Sequence, residues 1–250
     1  MKVGIAIIII ALIGLGAFVL FGPSTTPDEV IEEPTEAVSE VNEALAQDGE
    51  YEIVASLSKV NWAGKKPLID GYINSGTLSV TTGTILLAGA SSTGSFEIDM
   101  STLSVSETKA KPGAESLLEE HLKGERWFNT EEFPTAEFSI ISITSQNDIE
   151  DPFLFDVVGG LTMKGETNEV SFVARIYENE DGNVQTKANF EIDRTLWGIT
   201  SGSGSFFDDL ADQVIDDMVA LSFSLVAKPK IEKIAEEVEE EATSTPKEIE

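Results

Sequence analysis

Hydrophobic residues recur with period two over most of the chain. The clearest run is Val219-Ala-Leu-Ser-Phe-Ser-Leu225, in which Val219, Leu221, Phe223 and Leu225 share one face of an extended strand. The same alternation groups Phe96, Ile98 and Met100; Ala136, Phe138 and Ile140; Val170, Phe172, Ala174 and Ile176; and Ala188, Phe190 and Ile192. Turn signals separate these runs at short intervals: Gly83, Gly89, Gly94, Asn147-Asp148, Gly165 and Asp181-Gly182-Asn183. Short alternating strands without a helical repeat between them pair antiparallel, as a sandwich or a closed barrel. One interior segment departs from this period. From Ala114 to Lys123, Leu117, Leu118 and Leu122 recur at helical spacing and Gly124 supplies a stop, which predicts a short helix. A second short turn is expected at Asp208 to Asp212. About eight strands close into a barrel whose interior is filled by side chains or holds one slender ligand.

Both ends of the chain lose this pattern. Val3 to Phe21 carries no charge and, if helical, is about 28 Å long, enough for the hydrocarbon core of a bilayer. Lys2 precedes it and acids follow it, so the positive-inside bias puts Met1 in the cytoplasm and the rest outside, periplasmic or at the cell surface. A cleaved signal peptide is the competing reading, with Gly14, Gly16 and Ala17 as a poor cleavage site, and would make the domain secreted. Asp28 to Glu50 holds nine acids and no Lys or Arg, a composition that resists burial. Its Val38, Val41 and Leu45 share one helical face, but a mobile spacer is the simpler expectation. Ile231 to Glu250 carries eight acids against two lysines. The expected division is an anchor or signal segment at 1–22, an acidic linker at 23–50, a domain at 51–230 and an acidic disordered tail at 231–250.

Composition narrows the function. A net charge of −29 without a basic stripe repels phosphate backbones and argues against nucleic acid. Solubility, or a salty or crowded exterior, is the simpler account of that acid, with a cationic partner or divalent ions as the sharper alternative. The chain has no cysteine, which removes disulfides, thiolate metal sites, an acylated lipoprotein cysteine and a cysteine nucleophile together.

Several strings go beyond pattern. They are Val60-Asn-Trp-Ala-Gly-Lys-Lys66, Gly94-Ser-Phe-Glu-Ile-Asp-Met100, Leu118-Glu-Glu-His-Leu-Lys123, Trp127-Phe128, Phe133-Pro-Thr-Ala-Glu-Phe138, Gly160-Leu-Thr-Met-Lys-Gly165 and Asp193-Arg-Thr-Leu-Trp-Gly198. In this order and spacing the stretch Tyr51 to Lys230 resembles the YceI family of lipocalin-like, polyisoprenoid-binding proteins. The resemblance implies an all-β fold, an extended eight-stranded antiparallel barrel with one or two short helices. It also implies a non-enzymatic binder, without a cofactor, that holds a polyisoprenoid, quinone-like or other fatty lipid in an apolar channel. The residues expected to line that channel are Leu78, Val80, Phe96, Ile98, Leu117, His121, Trp127, Phe128, Phe138, Ile140, Phe172, Ala174, Phe190, Ile192, Leu221 and Phe223. Where related sequences often carry a His, this chain has Asp70 in Ile69-Asp-Gly71. Periodicity alone fits a solid core equally well, in which case an acidic surface interaction or stress-related protein is the alternative. A homodimer stays open.

Enzymatic candidates are sparse. His121 is the single histidine, so no multi-histidine metal site or His dyad exists. It is expected to tie the short helix to the barrel or to touch a ligand at the channel mouth. Asp99 and Ser101 are expected to cap a turn, and Asp193 with Arg194 to form a structural ion pair. Glu119-Glu120, Glu131-Glu132 and Asp216-Asp217 are the carboxylate pairs from which a glycosidase would be built, but such pairs are expected in a chain with 45 acids.

Overall fold

A computed structural model of the protein describes residues 43–230, positions 110 and 209 excepted, all within one unit spanning Glu40–Glu250. The apolar run from Val3 to Phe21, most of the acidic linker and the acidic tail lie outside the described residues. Among the described residues no helix is long and apolar enough to cross a membrane.

The chain forms β1 (Gly49–Ile53), β2 (Lys59–Lys65), β3 (Ile73–Leu87), β4 (Thr93–Thr108), α1 (Glu115–Lys123), β5 (Thr135–Ser145), β6 (Leu154–Met163), β7 (Glu166–Glu178), β8 (Val184–Asp193) and β9 (Met218–Pro229). β1 and β2 both pair with β3 and with β9, lying end to end on either side of a 3₁₀ turn at Ala55–Leu57. They are two halves of one stave. The result is an eight-stranded, all-antiparallel barrel whose sheet closes on itself through the pairing of β3 with β4. Closure leaves no strand at a free sheet edge along its whole length, although two of the ladders are incomplete. Among the described residues there is one α-helix, and the expected second short turn falls at Ala211–Gln213 as a 3₁₀ turn.

The inward faces are those the alternation predicts, with one kind of exception. Bulges reset the period where no hydrophobic run announces them. In β3 the buried positions switch from even (Leu78, Val80) to odd (Ile85, Leu87) across a register shift at Val80/Thr82. In β4 the Asp99 carboxylate accepts hydrogen bonds from the Ser101 backbone (2.9 Å) and hydroxyl (2.5 Å), while Thr102 Oγ1 accepts from the Ser79 backbone N–H at 2.9 Å. The local capping expected of Asp99 is therefore present, but inside a strand rather than at a turn. Gly83 and Gly94 also lie within strands. A Cβ on Gly83 would sit 2.6 Å from both Phe96 Cβ and the Ser95 carbonyl, so this glycine lets the neighbouring strand approach closely instead of bending the chain. Gly89, Gly165 and Gly182 do occupy turns, each with positive φ.

The two ends of the barrel are built differently. At one end the connections β3–β4, β5–β6 and β7–β8 are short hairpins. There Arg175, on the outer wall of β7, donates to Glu43 (2.5 and 2.8 Å) and Asp151 (2.9 Å) and stacks over Phe153 and Tyr177. Ala44 pairs with Glu178 beside it, so association with the barrel begins inside the stretch expected to be linker. At the other end two ladders stop early. β7 pairs with β8 only from Ala174↔Ala188 to Glu178↔Val184, and β4 with β5 only over Gly94–Asp99. The β4 gap is covered by α1. The β7–β8 gap is bridged by the 3₁₀ turn Arg194–Trp197, whose Leu196 carbonyl accepts from Asn168 at 3.0 Å.

Candidate functional site

Five phenylalanines cross the middle of the barrel. Phe223 is the hub, with ring centroids 5.3 Å from Phe96, 5.9 Å from Phe138, 5.9 Å from Phe172 and 5.1 Å from Phe190. Phe172 and Phe190 stack at 4.2 Å with planes 9° apart. They occupy the next in-register pair beyond Ala174↔Ala188, so ring stacking continues across the seam where the backbone ladder has ended. This belt divides the interior into two voids.

The larger void, about 160 Å³, lies between the belt and α1. Its size matches that of an apolar cavity able to hold one benzene ring, well short of a whole polyisoprenoid chain. Of the residues expected to line a channel, Leu78, Ile98, Trp127, Phe128, Ile192, Leu221 and Phe223 line this void. Phe96, Phe138, Ile140, Phe172 and again Phe223 line the smaller one, about 40 Å³, toward the hairpin end. Val80 and Ala174 are buried but border neither, and Phe190 serves the belt.

Leu117 and His121 do not belong to the site. Leu117 is 57% exposed and His121 is also exposed. They are four residues apart on the outer face of α1, whereas Leu118 and Leu122, equally spaced, form the face that walls the cavity. The role expected of His121 in fastening the helix falls to two glutamates. Glu119 accepts from the Val105 backbone at 3.3 Å and from Lys123 at 2.8 Å, and Glu115 accepts from Thr108 at 2.7 Å. These bonds, that from Lys123 largest for Glu119 and that from Thr108 largest for Glu115, hold both carboxyls below the ordinary value.

The rest of this end is held by two cations. Arg194, 3% exposed, donates to the carbonyls of Ile199, Ser201, Ile215 and Asp216, pairs with Asp217 at 3.3 Å, and lies over the Trp127 ring. Burial lowers its pKa, partly opposed by Asp217 and its neighbours. The expected partner, Asp193, instead caps the following 3₁₀ turn through Thr195. Lys164 donates to the Trp127 carbonyl at 2.5 Å from the β6–β7 turn, its pKa lowered by burial.

The void reaches the surface among Lys65, Lys66, Tyr72 and Asp216, where Lys65 bridges Asp216 at 3.3 Å. Asp70 is exposed in the β2–β3 turn and is no part of the wall. Of the acidic pairs considered for hydrolysis, only Asp216 borders the cavity, and it is committed to Lys65. Among the described residues no group of His, Asp or Glu is arranged to hold a metal ion.

Sequence reasoning missed Trp62, Tyr72, Asn74, Met163, Ile199 and Ile215, all of which line the larger void. Trp62 and Met163 sit in the quoted strings and on inward positions. The others carry no periodic signal.

Comparison with known proteins agrees with this architecture. The model of the YceI-like domain matches residues 51–227. Among solved structures, Burkholderia cenocepacia BcnA superposes with a TM-score of 0.53 at 19% identity, covering 70% of this chain and 99% of that one. A polyisoprenoid binding domain from Saccharophagus degradans, implicated in plant cell wall breakdown, gives 0.53 at 14% identity, covering 74% and 100%. No curated protein matches the chain.

Proposed function

The chain belongs to the YceI-like domain family, and from that membership and the shape of its interior we propose that it binds the apolar tail of an isoprenoid or similar long-chain lipid without chemically altering it. The observation that carries this reading is the void beneath α1, walled by aliphatic and aromatic side chains and open at one polar rim. A tail that buries ten methylene-sized groups gains about 8 kcal/mol at ~0.8 kcal/mol each. Association costs of ~4–15 kcal/mol are of the same order, so tail length and fit decide whether binding is measurable. The Phe belt sets that length: a short tail fits above it, and a longer one requires Phe223 and its neighbours to turn aside.

We place this activity at the outer face of the cytoplasmic membrane, on the strength of the uncharged run Val3 to Phe21 and the acids after it. Tethering would confine the barrel to the surface where such lipids reside.

A second reading has an observation in its favour. Five rings in mutual contact are what a solid core contains, and a barrel filled in this way would be a rigid acidic platform for a partner. Native mass spectrometry of protein purified without detergent separates the two, combined with quenching of Trp62 and Trp127 fluorescence by added isoprenoid quinone. Copurifying lipid and saturable quenching are expected. Bare protein with unquenched tryptophans would leave the platform.

A further inference from the structure

Two loops frame the place where the larger void reaches the surface. One is the β2–β3 turn, with Lys66 and Tyr72 on the rim, and the other joins β8 to β9, with Ile215 and Asp216 on the rim. Lys66 Nζ donates to Gln213 Oε1 at 3.1 Å and the Asp216 backbone N–H donates to the Lys65 carbonyl at 2.9 Å, so the loops are tied side by side. Each presents apolar side chains to solvent. Leu68 in the first is 66% exposed, and Phe206 and Phe207 in the second are 57% and 50% exposed. The backbone N–H groups of both phenylalanines donate to the Ser203 carbonyl (3.3 and 3.1 Å), and Ser203 pairs with Ile215 on the rim. The Ser205 hydroxyl donates to Asp217 at 2.7 Å. Two consecutive rings are thus held outward by the loop that borders the opening.

Among the described residues no other phenylalanine is exposed. At the hairpin end Leu45, Leu86 and Ile149 are exposed, without an aromatic ring among them. Apolar groups left in water beside a binding site mark a contact surface. The charges around them indicate which. Four of the chain's 16 Lys and Arg residues stand on two turns, Lys65–Tyr72 and Lys109–Gly113, which carry one acid, Asp70. The turns meet where the Lys109 N–H donates to the Ile73 carbonyl at 3.3 Å. In a chain of net charge −29 this is a local reversal of sign. Of the acids on the second loop, Asp216 and Asp217 are paired with Lys65 and Arg194, while Asp208 is exposed beside Phe207 and limits how deep that loop can sink. Apolar tips above lysines suit the edge of a bilayer, with the tips among the acyl chains and the ammonium groups at the phosphates. The opening lies between those tips, so a tail passing from a bilayer into the void there stays out of water.

We propose that the helix end of the barrel docks on a lipid bilayer through Leu68, Phe206 and Phe207, with the neighbouring lysines at the phosphate layer, and takes up its lipid there. The inference rests on the lipid-binding reading above and names the partner surface of the same cavity. An anchor at Val3 to Phe21 is compatible with it. Glu43 lies at the opposite, hairpin end, but the 21 residues between Phe21 and Glu43 reach about 70 Å when extended, at ~3.3–3.6 Å each. The 15 residues of β3 span about 50 Å at ~3.3 Å each, so the far end of the barrel can meet the bilayer that holds the anchor.

The chain has no cysteine, so one can be introduced and labelled alone. Pro67→Cys carries a bimane label beside Leu68, and Ile149→Cys carries one at the hairpin end, where Ile149 is 98% exposed. Each full-length chain is added to phosphatidylcholine vesicles with brominated acyl chains, which quench a label that penetrates among them. Quenching at position 67 and none at position 149 is expected. Phe206→Ser combined with Phe207→Ser should weaken docking, read as quenching at position 67 against vesicle concentration, by about tenfold or more. The melting temperature should stay unchanged, because both rings are exposed. Transfer of a prenyl quinone from vesicles to the protein, read by Trp quenching, should slow by a similar factor. A short-tailed quinone added from water should bind as in wild type, since neither ring lines the void. Leu68→Ser tests the other loop alone and should give a smaller loss. Absent quenching at position 67, equal quenching at the two positions, or a double variant that docks like wild type overturns the proposal. So does a dimer that the double substitution dissolves without any vesicle docking, which assigns the patch to a second copy of the chain. If the water-borne quinone does not bind wild type, the lipid-binding reading has failed, and the bimane label still decides docking by itself.

Discussion

The two ends of this barrel start from the same kind of sequence and finish differently. At the hairpin end every ladder runs to its turn, the connections are short, and the enclosed void is about 40 Å³. At the helix end the β4–β5 and β7–β8 ladders stop early, a helix and a 3₁₀ turn cover the gaps, and the void is about 160 Å³. The helix and the 3₁₀ turn leave more of their barrel end unfilled than the paired staves do at the other. Space for a ligand in this fold arises where backbone pairing is given up, and Arg194, Glu115, Glu119 and Lys164 keep that end from collapsing or fraying. The Phe belt is the boundary between the two regimes.

Breaking the boundary gives the largest expected effect. Phe223→Ala removes the hub ring that lines both voids and is 2% exposed. Unfolding free energy should drop by about 3–5 kcal/mol, since the surrounding rings cannot close the gap completely. The voids should also become continuous, so the preferred tail should lengthen. Phe223→Leu is the milder variant should the alanine form not fold. Denaturant titration and a chain-length series of prenyl alcohols measure the two consequences, and an unmoved length preference would show that the belt is not what limits the tail.

Gly159→Ala tests the same boundary from the wall, with a smaller effect. A Cβ there would lie 2.2 Å from Phe138 Cζ, so the ring must shift and press on Phe172 and Phe223. A loss of about 1–3 kcal/mol is expected in the melting curve. At Gly64, by contrast, an added methyl meets nothing. The same substitution therefore separates a packed wall from an open one.

This contrast also marks what the sequence discloses. Where hydrophobic residues alternate without interruption, as in β8 and β9, the inward face could be read directly, and all five belt phenylalanines were named from it. Glycines that let a neighbouring strand approach closely look like turn signals in a sequence, as Gly83 and Gly94 do. Bulges leave no compositional trace, so the shift in β3 was invisible. On α1 the inward stripe could not be told from its neighbour by spacing alone, because Leu117 and Leu118 are both apolar and only tertiary packing chooses between them.

The smallest expected effect compares the fastenings of the two ends under acid. Glu119 at the helix end and Glu43 at the hairpin end both have carboxyls held below the ordinary 4.5, the first chiefly by Lys123 and the second chiefly by Arg175. A carboxylate whose folded pKa is depressed contributes stability that is complete above its unfolded value and lost as pH falls through the folded one. Wild type should therefore exceed Glu119→Gln in stability at neutral pH by under about 1 kcal/mol, since the Lys123–Glu119 pair is a third exposed. The two should converge below pH 4.5. Glu119 holds α1 over the cavity, so hydrogen exchange in Glu115–Lys123 and ligand release should both quicken in the variant at neutral pH, and in wild type as acid is added. Glu43→Gln should instead loosen the Ala44 amide, which donates to Glu178 at 3.0 Å, and leave ligand release unchanged. Equal effects of the two substitutions on release would mean that the cavity is not governed by its own end of the barrel. An acid response of α1 and of release that wild type shows and Glu119→Gln lacks would place the gate on the helix.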